Sequence, residues 1–140
     1  MKATVSWRDG VAFEGTAASG HTVLMDGPPE FGGRNLGVRP MEMLLLGLGG
    51  CSAFDVVHIL QKGRHDVTDC VVDLEAERAE TPPKVFTRIH MHYRVTGRGL
   101  SDAAVARAVR LSAEKYCSAS IMLARSAEIT HDHEVLAATA

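Results

Sequence analysis

No Cys-x-x-Cys occurs anywhere in the 140 residues, which excludes a zinc ribbon and a thioredoxin-type redox motif. The three cysteines, Cys51, Cys70 and Cys117, are too few and too scattered for a disulfide scaffold. There is no GxSxG, no P-loop and no dinucleotide fingerprint. The run Gly47-Leu48-Gly49-Gly50-Cys51 lacks the lysine that a phosphate loop would need. Charge of neither sign dominates: the formal net charge is −2, so nothing draws the chain generally to nucleic acid or to anionic membranes. The longest apolar run, Met43 to Gly50, is far short of the roughly 20 residues that a membrane span needs. The opening MKATVSWRDG has no apolar core followed by a small-residue cleavage site, so no signal peptide is read there. The expectation is a cytoplasmic protein with no nucleic-acid or membrane partner.

What is present suits one globular domain over residues 1–140. Hydrophobic residues make up 46% and charged residues 23%, enough apolar material for a core and enough charge for solubility. Lys2 to Trp7 alternates and ends at Arg8-Asp9-Gly10, a hairpin signal. Val11 to Ala17 and His21 to Asp26 supply two further strands. Gly27 to Gly37 is rich in turn formers and reads as a loop. Pro40 opens a helix that should run to Lys62 and stop at Gly63. It is apolar nearly all round to Phe54, which predicts burial on most sides and a second subunit to supply the cover. Asp66 to Glu80 and Val85 to Thr96 alternate as two long strands joined by a Pro-rich turn. Ser101 caps a helix that continues to about Tyr116. A shorter helix covers Ser118 to Arg125, and Ala127 to His131 is a last strand. The order argues an α+β fold with antiparallel sheets.

The long helix carries Gly47, Gly49 and Gly50 directly before Cys51. Each glycine costs a helix interior about 1 kcal/mol relative to alanine, so something approaches closely there. A close helix crossing explains it, and so does room for a substrate or a second thiol beside Cys51. Cys70 lies between Val67 and Val71 and reads as a small buried hydrophobe. Cys117 falls where one helix ends and another begins, a position whose partial positive charge should favour thiolate. His58 lies two turns along from Cys51: it is either a tuning group for the thiol or an ordinary helix histidine. The pairs His90/His92 and His131/His133 lie at strand spacing, without an evident third metal ligand, and read as exposed strand histidines. No metal and no cofactor are expected.

The motif RPMEMLLLGLGGCSAFDV, together with AVRLSAEKYCSASIML, resembles the OsmC/Ohr family of osmotically induced and organic-hydroperoxide-resistance proteins. SGHTVLMDG, HILQKGRHDVTDC, DAAVARAVRLSAEKYCS and ITHDHEV extend the likeness over nearly the whole chain, closest to the YhfA-like branch. The resemblance implies an OsmC-like fold, antiparallel sheets around a long central helix, in an intertwined homodimer. It implies a thiol peroxidase for organic hydroperoxides or hydrogen peroxide, acting in oxidative-stress defence. Cys51 matches the peroxidatic cysteine and Cys117 the resolving one, with a lipoyl-type dithiol as reductant. The family's peroxidases add an arginine that stabilises the thiolate and a glutamate that orients it. There the glutamate directly follows the helix-opening proline. Here Met41 follows Pro40 and Glu42 comes one residue later, about 100° further round the helix. Arg34 and Arg39, which flank the loop into the helix, are the candidate arginines, ahead of Arg8. The alternative is a redox-responsive or ligand-binding member of the same fold with little peroxidase turnover.

Overall fold

The polar–apolar alternation before Met25 folds as three short antiparallel strands. The computed structural model describes residues 1–139, and the chain divides into two compact units, Met1–Leu46 and the part from Gly47 on. The first unit holds β1 (Ala3–Asp9), β2 (Ala12–Ala17) and β3 (Thr22–Met25), in that order across the sheet. Gly10, at φ +53°, makes the β1–β2 turn in a left-handed conformation that glycine adopts without steric cost. The register sets Trp7 opposite Phe13 and Phe13 opposite Met25, so these side chains share one face. Val5 and Trp7 stay exposed there.

Buried Asp26 organises the loop that follows. Its carboxylate accepts the backbone N–H groups of Gly27 at 2.8 Å, Arg34 at 3.0 Å and Leu36 at 3.2 Å. The Arg34 amide contributes most to holding the Asp26 carboxyl below its usual range, and burial, which pulls the other way, is outweighed.

α1 (Pro40–Lys62) has the predicted bounds. Glu42 Oε1 accepts the Arg39 backbone N–H at 2.7 Å, one half of a capping box. At the other end the His65 N–H donates to the Leu60 carbonyl and the Arg64 N–H to that of Gln61, both at 2.9 Å, a Schellman pattern. The left-handed residue of this stop is Arg64, at φ +62°, and not the adjacent Gly63. By length and composition α1 is apolar enough to cross a membrane, with mean hydropathy 1.8 in its most apolar window. Leu48, Gly49, Ser52, Val56 and Leu60 nonetheless form a buried stripe at helical spacing, as in the core helix of a globular fold. The expected burial on most sides is not met within one chain: Leu46 is 58% exposed and Phe54 69%. A single sheet covers only one face of a helix, so the other stays open.

In the second unit β4 (Asp66–Arg78) and β5 (Phe86–Arg98) pair antiparallel. β6 (Glu128–Ala137) pairs with β5 in parallel, which corrects the expectation of purely antiparallel sheets. The chain leaves β5 and crosses back through α2 (Asp102–Leu111), a π-helical turn (Ser112–Tyr116) and α3 (Ser118–Leu123). A crossover of that length is what parallel pairing requires. Ser101 caps α2 by accepting the Ala104 N–H at 3.1 Å. On β5, Ile89, Met91, Tyr93 and Val95 point into the core with α1 residues Val56 and Leu60 and α2 residues Val105 and Val109. Each large apolar side chain so buried contributes about 1.5–3 kcal/mol. The intervening β5 residues Arg88, His90, His92 and Arg94 lie on the opposite face.

Candidate active site

The glycines before Cys51 divide into two kinds. A Cβ on Gly49 would meet Leu74 Cδ1 at 2.8 Å, so this glycine lets α1 lie close on β4. A Cβ on Gly47 or Gly50 would meet nothing within 4 Å among the described residues, so α1 is open on that side.

Cys51 is half-buried in α1, and Cys117 is fully buried at the N-cap of α3. The segments that carry the two thiols meet at Ser112, whose hydroxyl lies 2.8 Å from Ser52 Oγ and whose carbonyl accepts the Cys117 N–H at 2.9 Å, and Cys51 is among the groups that act on the Cys117 thiol. Cys117 Sγ also accepts the Ser120 N–H at 3.3 Å. The expectation that the helix start favours a Cys117 thiolate is overturned. Burial first, and then Cys51, push the Cys117 thiol up to about 11. The Ser120 amide pulls downward, but one N–H does not offset the loss of solvation. Cys117 is therefore a protonated thiol at neutral pH. Cys70 lies half-buried in β4, raised mainly by burial and further by Asp69.

A chain of hydroxyls runs beside this pair. Tyr93 Oη lies 2.5 Å from Ser52 Oγ, Ser52 Oγ lies 2.8 Å from Ser112 Oγ, and the Ser112 hydroxyl donates to Asp55 Oδ2 at 2.9 Å. Tyr93, Ser52 and Ser112 are buried. Burial raises the Tyr93 hydroxyl to about 12, so it stays neutral and can donate. Sequence reasoning passed over Ser52, Tyr93 and Ser112. One signal was available: Val105, Ala108 and Val109 form the buried stripe of α2, and Ser112 is its next member. A polar side chain on such a stripe demands a partner.

His58 stacks on Phe54, with ring centroids 5.7 Å apart and planes 12° apart. With Asp55, Ile59, Lys62, Arg107 and Leu111 it lines a cleft of about 530 Å³.

The candidate supporting residues lie in the first unit, each already engaged there. Arg34 forms an ion pair with Asp9. The Arg39 guanidinium donates to Asn35 Oδ1 and to the Gly37 carbonyl, both at 3.2 Å. Glu42 caps α1 through the Arg39 amide. Arg8 pairs with Glu14 at 2.5 Å. Among the described residues Glu42 makes no ion pair with any arginine.

Three of the four strand histidines, His90, His92 and His133, are held by carboxylates. His90 Nε2 and His92 Nδ1 lie 3.0 and 2.7 Å from Asp132 Oδ1, and His133 Nε2 lies 2.8 Å from Asp102 Oδ1. No cluster of metal-ligating side chains occurs among the described residues.

The OsmC-like protein family model matches residues 32–132. The chain is 57% identical to Protein YhfA of Escherichia coli strain K12 over 141 aligned positions, covering 99% of this chain and 100% of that protein. A hypothetical protein from Aquifex aeolicus is 30% identical, with a TM-score of 0.86 over 99% of this chain and 97% of that one. The organic hydroperoxide resistance protein OhrB of Bacillus subtilis shares the fold, with a TM-score of 0.65 at 17% identity over 96% of this chain and 98% of that one. The matched segment contains Cys51 and Cys117, and the chain belongs to the OsmC-like family.

Proposed function

We propose that the protein is a thiol-dependent peroxidase that reduces organic hydroperoxides or hydrogen peroxide with Cys51 and Cys117. The observation that carries this reading is the meeting, at Ser112, of the segments that bear a half-buried thiol, Cys51, and a fully buried one, Cys117. The accessible thiol suits attack on a peroxide, and the protected one suits the second step. Cys51 thiolate attacks the O–O bond, an alcohol or water leaves, and Cys51 becomes a sulfenic acid. The Cys117 thiol then displaces the sulfenic oxygen as water, and a disulfide forms. A dithiol of lipoyl type reduces that disulfide by exchange and is itself oxidised to a cyclic disulfide. A cytoplasmic homodimer is the proposed working form. The exposed Leu46 and Phe54 of α1, and Val5 and Trp7 of the first sheet, support it as apolar surface in want of cover.

The capping role of Glu42 favours a second reading, a redox-responsive OsmC-like protein with little turnover. Peroxide consumption with cumene hydroperoxide and a dithiol separates the two. Under the first reading, the wild type turns over repeatedly, Cys51→Ser falls to background, and Cys117→Ser turns over more slowly than wild type, because the dithiol must then reduce the Cys51 sulfenic acid directly. Wild type that forms the disulfide once without sustained turnover supports the second. Equal, slow peroxide loss by wild type and Cys51→Ser sinks both.

A further inference from the structure

Ser112 touches both cysteine-bearing segments. Its hydroxyl bonds to Ser52, the residue after Cys51, and to Asp55, one helical turn beyond Cys51. Its carbonyl accepts the Cys117 N–H at 2.9 Å, an i to i+5 bond that closes the π-helical turn. Turns of this kind are rare and concentrate at functional sites. Ser112 itself has no solvent exposure.

The bonding has one consistent direction. Asp55 Oδ2 accepts the single hydroxyl proton of Ser112 at 2.9 Å. Ser52 must then donate to Ser112, and Tyr93 to Ser52. These are the shorter bonds of the chain; the Ser52 carbonyl at 3.5 Å from Ser112 Oγ and Met91 Sδ at 3.9 Å from Tyr93 Oη are longer second acceptors. A well-satisfied buried network of this kind is stiff. An alanine at 112 would fill a helical stripe more cheaply, so packing alone does not account for the serine.

We propose that Ser112, oriented by Asp55, is a positioning residue for closure of the Cys51–Cys117 disulfide. The inference rests on the two-cysteine reading above. In closure the S–O bond of the Cys51 sulfenic acid breaks and the S–S bond forms. The thiol proton of Cys117 leaves with the departing hydroxide as water. The Cys117 sulfur must approach along the S–O axis, and Ser112 sets the distance between α1 and the turn that presents Cys117. Attack of Cys51 on peroxide needs no such alignment.

The test separates the two steps. Reduced protein is mixed with one equivalent of cumene hydroperoxide, quenched with an alkylating agent at intervals, and read by mass spectrometry. A sulfenic-acid trap, dimedone, is added in parallel. Ser112→Ala should consume the peroxide at the wild-type rate and close the disulfide at least about tenfold more slowly, since small misplacements of reacting groups cost factors of this order. The dimedone adduct on Cys51 should rise accordingly, and Ser112→Thr, which restores a hydroxyl, should recover closure. Closure by folded Ser112→Ala at the wild-type rate overturns the inference. Equal slowing of both steps overturns it too, because that is the signature of general loss of structure. Asp55→Ala removes the acceptor that orients the Ser112 hydroxyl, and it reads the same closure rate if Ser112→Ala does not fold. Its closing at the wild-type rate is then the overturning result. Wild type that forms neither sulfenic acid nor disulfide removes the two-cysteine reading itself, a different outcome from unaltered closure in the variants.

Discussion

Tyr93 and His92 are adjacent on β5 and point to opposite faces of the same sheet. Tyr93 enters a dry chain of hydroxyls that ends at Asp55. His92 enters a solvated ladder in which Asp132 and Glu134 take its two ring nitrogens, at 2.7 and 3.3 Å. The bond lengths are alike; the surroundings differ. In the dry chain a lost partner leaves a polar group stranded away from water. On the wet face water replaces any partner that is removed, and exposed ion pairs are worth little. The inward side should therefore govern geometry and stability, and the outward side the response to pH.

The largest effect should come from the dry side. Tyr93→Phe removes the first donor of the chain and leaves Ser52 short of a partner, at a cost of about 1–3 kcal/mol by urea denaturation. A loss indistinguishable from zero would mean that the inward network is no different from the outward one. A smaller, pH-dependent effect belongs to His92. Its hydrogen bonds to Asp132 and then Glu134 raise its proton affinity in the folded state. The stabilisation is therefore complete below the unfolded histidine value of about 6.5 and is lost as pH rises through the higher folded value. Asp132, held low chiefly by His92, loses its contribution as pH falls from about 4, the ordinary carboxylate value, through its depressed folded one. Thermal midpoints of wild type and His92→Gln should differ most between about pH 4 and 6.5 and converge at high pH. A constant difference from pH 5 to 9 would break that account. The smallest effect is expected for Arg88→Ala. Arg88 meets Glu128 at 3.7 Å with both side chains more than half exposed, and the change should stay within about 0.5 kcal/mol in urea.

The elements were largely legible because their signals are local. Pro40 and Gly63 bracket α1, Ser101 caps α2, and the alternation of Phe86 to Val95 marks β5 together with its buried face. The errors occurred where distance along the chain matters. β6 runs parallel to β5, and no residue of either strand states that direction; the crossover decides it. α2 stops at Leu111, and a π-helical turn follows, because Ser112 is held by partners 57 and 60 residues away in sequence. Helical propensity in Ser112–Tyr116 carries no trace of them.

The candidate site divides in the same way. Cys51 and Cys117 stood out by residue type and by the glycines before one of them. The protonation of Cys117 was misjudged, since a helix start is visible in sequence while burial is not. Asp26 went unnoticed although it opens the Gly-Pro-Pro loop, because its role is to gather amides up to ten residues away.

By itself, the sequence determined which segments are helix and strand, which faces are apolar, and that a thiol sits beside glycines in an apolar helix. These follow from side-chain periodicity and backbone stereochemistry, which act over a few residues. Only the tertiary structure decided that Gly49 serves contact with Leu74, that Cys51 acts on the Cys117 thiol, and that Ser112 joins both segments. Those are matters of burial and of bonds between residues distant in the chain, and both come into being only when the core closes.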